Sequence, residues 1–128
     1  MNDTAMIDAL DKAVSAHGAW KVRLRMAIMH GSSEFQPETV ACDDKCEFGK
    51  WLYGSGISDA VKADMPYQVV RRLHADFHKC AARVLTHAVS SEADEASELM
   101  AGSFDERSQR LLIALAKWKR EFFKAEAA

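Results

Sequence analysis

The chain has 128 residues, nearly half of them apolar, and a formal net charge of −2, which suits one domain with a core that needs no disulfide staples. Basic and acidic residues are interspersed, so there is no electrostatic footprint for a nucleic acid. No apolar run approaches the roughly 20 residues of a membrane span, and Met1-Asn2-Asp3 lacks the basic start and apolar stretch of a signal peptide, so no membrane partner and a cytoplasmic location are expected.

The first segment predicts a helix. Met6, Leu10, Ala13, His17, Trp20, Leu24 and Ile28 recur at steps of three and four, which is one helical face. Asn2, Asp3 or Thr4 is expected to cap its start and Gly31 to end it. From Ser32 to Cys42 the pattern fails, and an irregular connection is expected around Pro37. A short helix is expected from about Asp44 to Tyr53, capped by Asp43 or Asp44 and stopped by Gly54-Ser55-Gly56. Gly49 inside it lowers helix propensity by about 1 kcal/mol relative to Ala, so a close packing contact is its expected reason.

A third helix starts near Pro66 and carries Val70, His74, Phe77, Ala81 and Ala88 on one stripe. Ser91 with Asp94 resembles a weak capping box. The last helix spans about residues 92 to 125, with Leu99, Phe104, Leu111, Leu115, Trp118 and Phe122 on one side and a bend expected at Gly102. The fold class is therefore all-α: a four-helix-type bundle of three long helices and one short one, in a single domain over residues 1–128. The basic clusters Lys21 to Arg25 and Lys117 to Lys124 read as solvated helix faces.

The informative residues interrupt the apolar stripes. His74 and His78 are one turn apart and project together, and His17 sits in the first stripe. Each inward imidazole needs a hydrogen-bond partner or a metal. Cys46, near the start of the short helix, adds a thiol that a helix N-terminus favours as thiolate. Three imidazoles and one thiolate suit a closed tetrahedral zinc site. Singly, each feature has a plainer reading: HxxxH pairs arise by chance, and a buried His or Cys is often only packed.

Together the residues carry a resemblance. His17-Gly18-Ala19-Trp20-Lys21, then Cys46-Glu47-Phe48-Gly49-Lys50-Trp51-Leu52-Tyr53, then His74-Ala75-Asp76-Phe77-His78 resemble the chemoreceptor zinc-binding (CZB) domain family, with its H-x-x-W, C-x-[apolar]-G-x-W and H-x-x-x-H elements. The similarity covers about residues 5–90. It implies that His17, Cys46, His74 and His78 ligate one zinc, with Trp20, Gly49 and Trp51 packed around it. It also implies a regulatory, non-enzymatic domain that senses zinc, or hypochlorous acid through the ligating cysteine. The implied partners are a second copy and a signalling protein of the chemoreceptor or diguanylate cyclase type. The chain has no room for such a signalling module, so it is expected to be a free-standing member or an excised domain.

Asp43, Asp44 and Asp76 are candidates to orient a ligand histidine, with capping or solvation as the plainer role. Cys42 is either a resolving thiol for an oxidised Cys46 or an incidental loop thiol, and Cys80 is expected to be packed. A catalytic zinc site lacks support, because the helix reads HADFH without the glutamate of HExxH. A hemerythrin-like di-iron, oxygen-binding centre would draw on His17, His30 with Glu34, His74 with His78, and His87 with Glu92. His87 lies too far along the third helix from His78 to share a centre with it. A metal-free adaptor bundle is the remaining alternative.

Overall fold

The fold was read from a computed structural model, which describes residues 3–127 and the side chains of residues 3–123; Asn2, one of the expected caps, lies outside them. The first stripe forms α1 (Asp3–Gly18) and α2 (Trp20–His30) rather than one helix. The division follows Gly18, the weakest helix former of the segment, and Ala19 keeps helical dihedrals (φ −65°, ψ −19°). Gly31 ends α2 in the left-handed conformation (φ 68°), its N–H donating to the Ala27 carbonyl, as a glycine C-cap does.

The connection expected to be irregular contains a short helix, α3 (Pro37–Val40), with Pro37 in its first turn, where the missing N–H is harmless. The next helix, α4 (Glu47–Leu52), is shorter than expected and capped differently. Cys46, not Asp43 or Asp44, is its N-cap, and the Cys46 side chain accepts from the Gly49 N–H. A further helix that the sequence pattern did not announce, α5 (Asp59–Ala63), is capped by Ser58, whose hydroxyl accepts from Val61 N–H at 3.2 Å.

The long α6 (Met65–Val89) is the central rod, packed against α2, α3 and α5 and against the C-terminal rod. That last rod is α7 (Ala93–Leu99), a π-helical segment (Met100–Phe104) and α8 (Asp105–Ala127). The expected bend at Gly102 is thus a stretch of wider helix. Ser91 does not form a capping box: it takes a positive φ of 62°, and Glu92 occupies the N-cap without a side-chain bond.

The rods α1–α2, α6 and α7–α8 bury Leu10, Leu24, Val70, Phe77, Leu85, Phe104, Leu111 and Leu115 against one another. Full burial of such side chains contributes about 1.5–3 kcal/mol each relative to exposure. Trp118 belongs to this core, facing Trp51 and Tyr67 at 6.0 Å between ring centroids. Trp118 is buried, whereas Phe123 is exposed. The protein is an all-α helical bundle, and among the described residues no helix is long and apolar enough to cross a membrane.

Candidate metal centre

Three elements aim side chains at one point. His17 lies in the last turn of α1, His74 and His78 lie one turn apart on α6, and Cys46 caps α4. The imidazoles are almost dry, with exposures of 2 % for His17, 0 % for His74 and 3 % for His78. Phe48 and Phe77 wall them in: Phe48 stands edge-on to His17 and His74, and Phe77 to His17 and His78. The π-helical segment supports that wall, because its Phe104 packs on Phe77 at 5.2 Å.

Cys46 reaches the cluster because α4 is held at both ends. The buried Tyr67 hydroxyl of α6 donates to the Leu52 carbonyl at 2.9 Å. At the other end Gly49 lies against the turn before the helix. A β-carbon there would stand 1.8 Å from the Asp43 carbonyl oxygen. The close contact expected from sequence is present, and its partner is backbone.

Neighbouring groups assign the tautomers. Nδ1 of His17 donates to the Ala13 carbonyl at 2.8 Å, and Nδ1 of His78 to the Val40 carbonyl at 2.9 Å. Carbonyls only accept, so each neutral ring carries its proton on Nδ1 and presents a lone pair at Nε2. Yet the two Nε2 atoms stand 3.3 Å apart, and His74 Nε2 is 3.0 Å from that of His17. The lone pairs of His17 and His78, facing each other at that range, favour a cation between them.

A proton is a poor candidate. Burial holds His17 down at about 4 and His74 at about 2, the latter lowered further by His78 and His17, and it lowers His78 as well. A metal ion fits the distances better. Zinc–nitrogen and zinc–sulfur bond lengths in a tetrahedron imply edges of about 3.3 Å between nitrogens and about 3.6 Å from sulfur to nitrogen. Cys46 Sγ lies 3.4 Å from His74 Nε2, 3.5 Å from His78 Nε2 and 3.9 Å from His17 Nε2. The four donor atoms all lie within 4.8 Å of one another and could hold a metal ion.

The cysteine departs from one expectation. Its thiol does accept the Gly49 N–H, at 3.3 Å, and the backbone N–H groups at the helix start pull its pKa down. Burial outweighs them, and the Cys46 thiol lies above its ordinary value in the protein alone.

The remaining sequence candidates take varied places. Trp20 packs on Phe35 with the Arg23 guanidinium over both rings. Trp51 bridges Phe48 and Trp118. Asp43 turns a carboxylate oxygen toward His74 Nδ1, at 3.9 Å. Asp44 contributes its backbone to the surface against Gly49, and Asp76 is half-buried on α6 with no hydrogen bond to the cluster. Cys42 donates to the Glu38 carbonyl and shares a cavity with Cys46, whereas Cys80 is buried in the core. His30, Glu34, His87 and Glu92 stay outside the cluster, and His87 pairs with Glu92 at 3.3 Å. Sequence reasoning missed Phe48 and Phe77 as the walls of the site, although both lie inside the quoted motifs. It also missed the carbonyls of Ala13 and Val40, which no side-chain pattern could reveal.

The family model described as "Chemoreceptor zinc-binding domain" matches residues 17–85, just over half of the chain. Comparisons with curated proteins and with solved structures give no match. The matched span begins at His17 and includes Cys46, His74 and His78, the donors that the fold gathers. Zinc is the cofactor of that domain, and the chain belongs to the chemoreceptor zinc-binding (CZB) domain family.

Proposed function

We propose that the chain is a regulatory sensor domain in which His17, Cys46, His74 and His78 hold one zinc ion through three Nε2 atoms and a thiolate. The observation that carries this reading is the set of donor separations: five of the six are 3.0–3.9 Å, close to the nitrogen–nitrogen and sulfur–nitrogen edges of a tetrahedral site, and all four donors lie within 4.8 Å of one another. Four protein donors leave no position for water or substrate, so the reading is regulation rather than catalysis.

The input has two forms in this proposal. One is zinc occupancy, which ties α1, α4 and α6 together through their donors. The other is oxidation of the Cys46 thiolate to sulfenic acid by hypochlorous acid, which removes a donor. Cys46 is half-buried and borders a cavity of about 770 Å³ beside α1, a route for a small oxidant. The output goes to a signalling protein of the chemoreceptor or diguanylate cyclase type, with a homodimer as the working unit, as the family resemblance suggests. Elemental analysis of protein purified without added metal tests the core of the reading: zinc near one equivalent supports it, and zinc-free, fully folded protein refutes it.

A further inference from the structure

The outer contacts of the three imidazoles are unequal. His17 and His78 each have a carbonyl for the Nδ1 proton. His74 has none: its Nδ1 is buried and without a hydrogen-bond partner. A buried ring N–H left unpaired is costly, and a ligand histidine normally has an acceptor behind it. Phe48, edge-on to the ring, cannot serve.

The carboxylate of Asp43 lies just beyond reach, with Oδ2 3.9 Å from that Nδ1. It is not a free surface group. The Tyr53 hydroxyl donates to the same oxygen, and the Asp43 carbonyl presses against Gly49. Burial, then Asp43 itself, raises the Tyr53 phenol, so it remains a donor. Charge points the same way. Three neutral imidazoles and one thiolate around a divalent ion leave one positive charge in a nearly dry site, and a carboxylate at its edge cancels it.

We propose that Asp43, clamped by the Tyr53 hydroxyl, is a positioning residue that accepts the Nδ1 proton of His74 when the cluster is loaded with zinc. This rests on the zinc-binding reading above. It requires a carboxylate shift of about 1 Å to reach ordinary charge-assisted hydrogen-bond length. The arrangement makes the turn before α4 part of the site: the segment that ends in the Cys46 donor also holds the group behind His74.

The test uses the zinc-loaded full chain with ¹⁵N-labelled histidine, together with competition against a chelator of known zinc affinity. The wild-type chain is expected to show three slowly exchanging Nδ1–H protons, with that of His74 furthest downfield. Asp43→Asn moves the His74 signal upfield, leaves those of His17 and His78 in place and weakens zinc binding about 10–100-fold. Tyr53→Phe, which keeps the carboxylate but frees it, shifts the same signal with a smaller loss of affinity and covers the case in which Asp43→Asn does not fold. Asp76→Asn moves nothing. Zinc bound at one equivalent with a His74 signal and affinity indifferent to Asp43→Asn, or to Tyr53→Phe where that variant decides, overturns this proposal alone. A wild-type chain that binds no zinc overturns the underlying reading instead.

Discussion

The α-carbon of Gly49 lies so close to the Asp43 carbonyl that a β-carbon would stand 1.8 Å from the oxygen and 2.8 Å from the carbonyl carbon. Both clashes are with backbone, so no side chain can swing aside. Helix propensity alone predicts that Gly49→Ala stabilises α4 by about 1 kcal/mol. The contact predicts the reverse. Gly49→Ala is expected to destabilise the protein by about 2 kcal/mol or more and to weaken zinc binding, because the displaced helix carries Cys46. Denaturant unfolding with and without zinc measures both effects; a more stable variant would contradict the packing.

The three cysteines are expected to separate cleanly. Cys46→Ala removes a donor and is predicted to lower zinc affinity by at least about 100-fold, more than a typical outer-contact change. Cys42→Ala leaves it within a few-fold, since the Cys42 thiol donates to the Glu38 carbonyl and is not among the gathered donors. Cys80→Ala disturbs core packing and lowers stability rather than affinity. Chelator competition on the three variants provides the check, and equal losses in all three would show the wrong thiol assigned.

Proton release follows from the titration of the donors. His17 and His74 sit at about 4 and about 2 and His78 is lowered, so all three are already neutral at pH 7. The Cys46 thiol is raised and keeps its proton until metal displaces it. Zinc binding at pH 7 is therefore expected to release about one proton per ion. Calorimetry in buffers of different ionisation enthalpy counts it. Release near zero, or of two or more, would contradict these protonation states.

The zinc-free protein is expected to weaken in acid. A histidine ordinarily titrates near 6.5, and burial depresses His17 to about 4 in the folded chain. Between those values the unfolded chain binds a proton that the folded chain refuses, so the stability present above pH 6.5 is lost as pH falls through that window. His74 and His78 act in the same direction. Thermal melts of metal-free protein from pH 7.5 to 4.5 read the slope; a flat profile would show the rings to be solvated.

Much of this architecture is legible in the sequence. The apolar stripes mark the three rods, and the histidines within them mark the inward face, because a 3.6-residue period fixes which side chains share a side. What escapes has physical reasons. Helices α3 and α5 are too short to show a period. Cys46 caps α4 in place of two better-ranked aspartates, because the close approach of Gly49 to the Asp43 backbone leaves both aspartates in the turn before the helix. The acceptors for His17 and His78 are main-chain carbonyls, common to every residue. The division at Ala19 and the π-helical segment leave the direction of the stripe intact and so leave little trace in it.

The central claim is that three imidazole nitrogens and one thiolate sulfur meet at a single zinc ion. X-ray absorption at the zinc edge of the as-purified protein tests it most directly. The expected result is a closed shell of three nitrogens at about 2.0–2.1 Å and one sulfur at about 2.3 Å, with the sulfur lost in Cys46→Ala. A wild-type spectrum without sulfur, or one with a water oxygen in its place, would contradict the account.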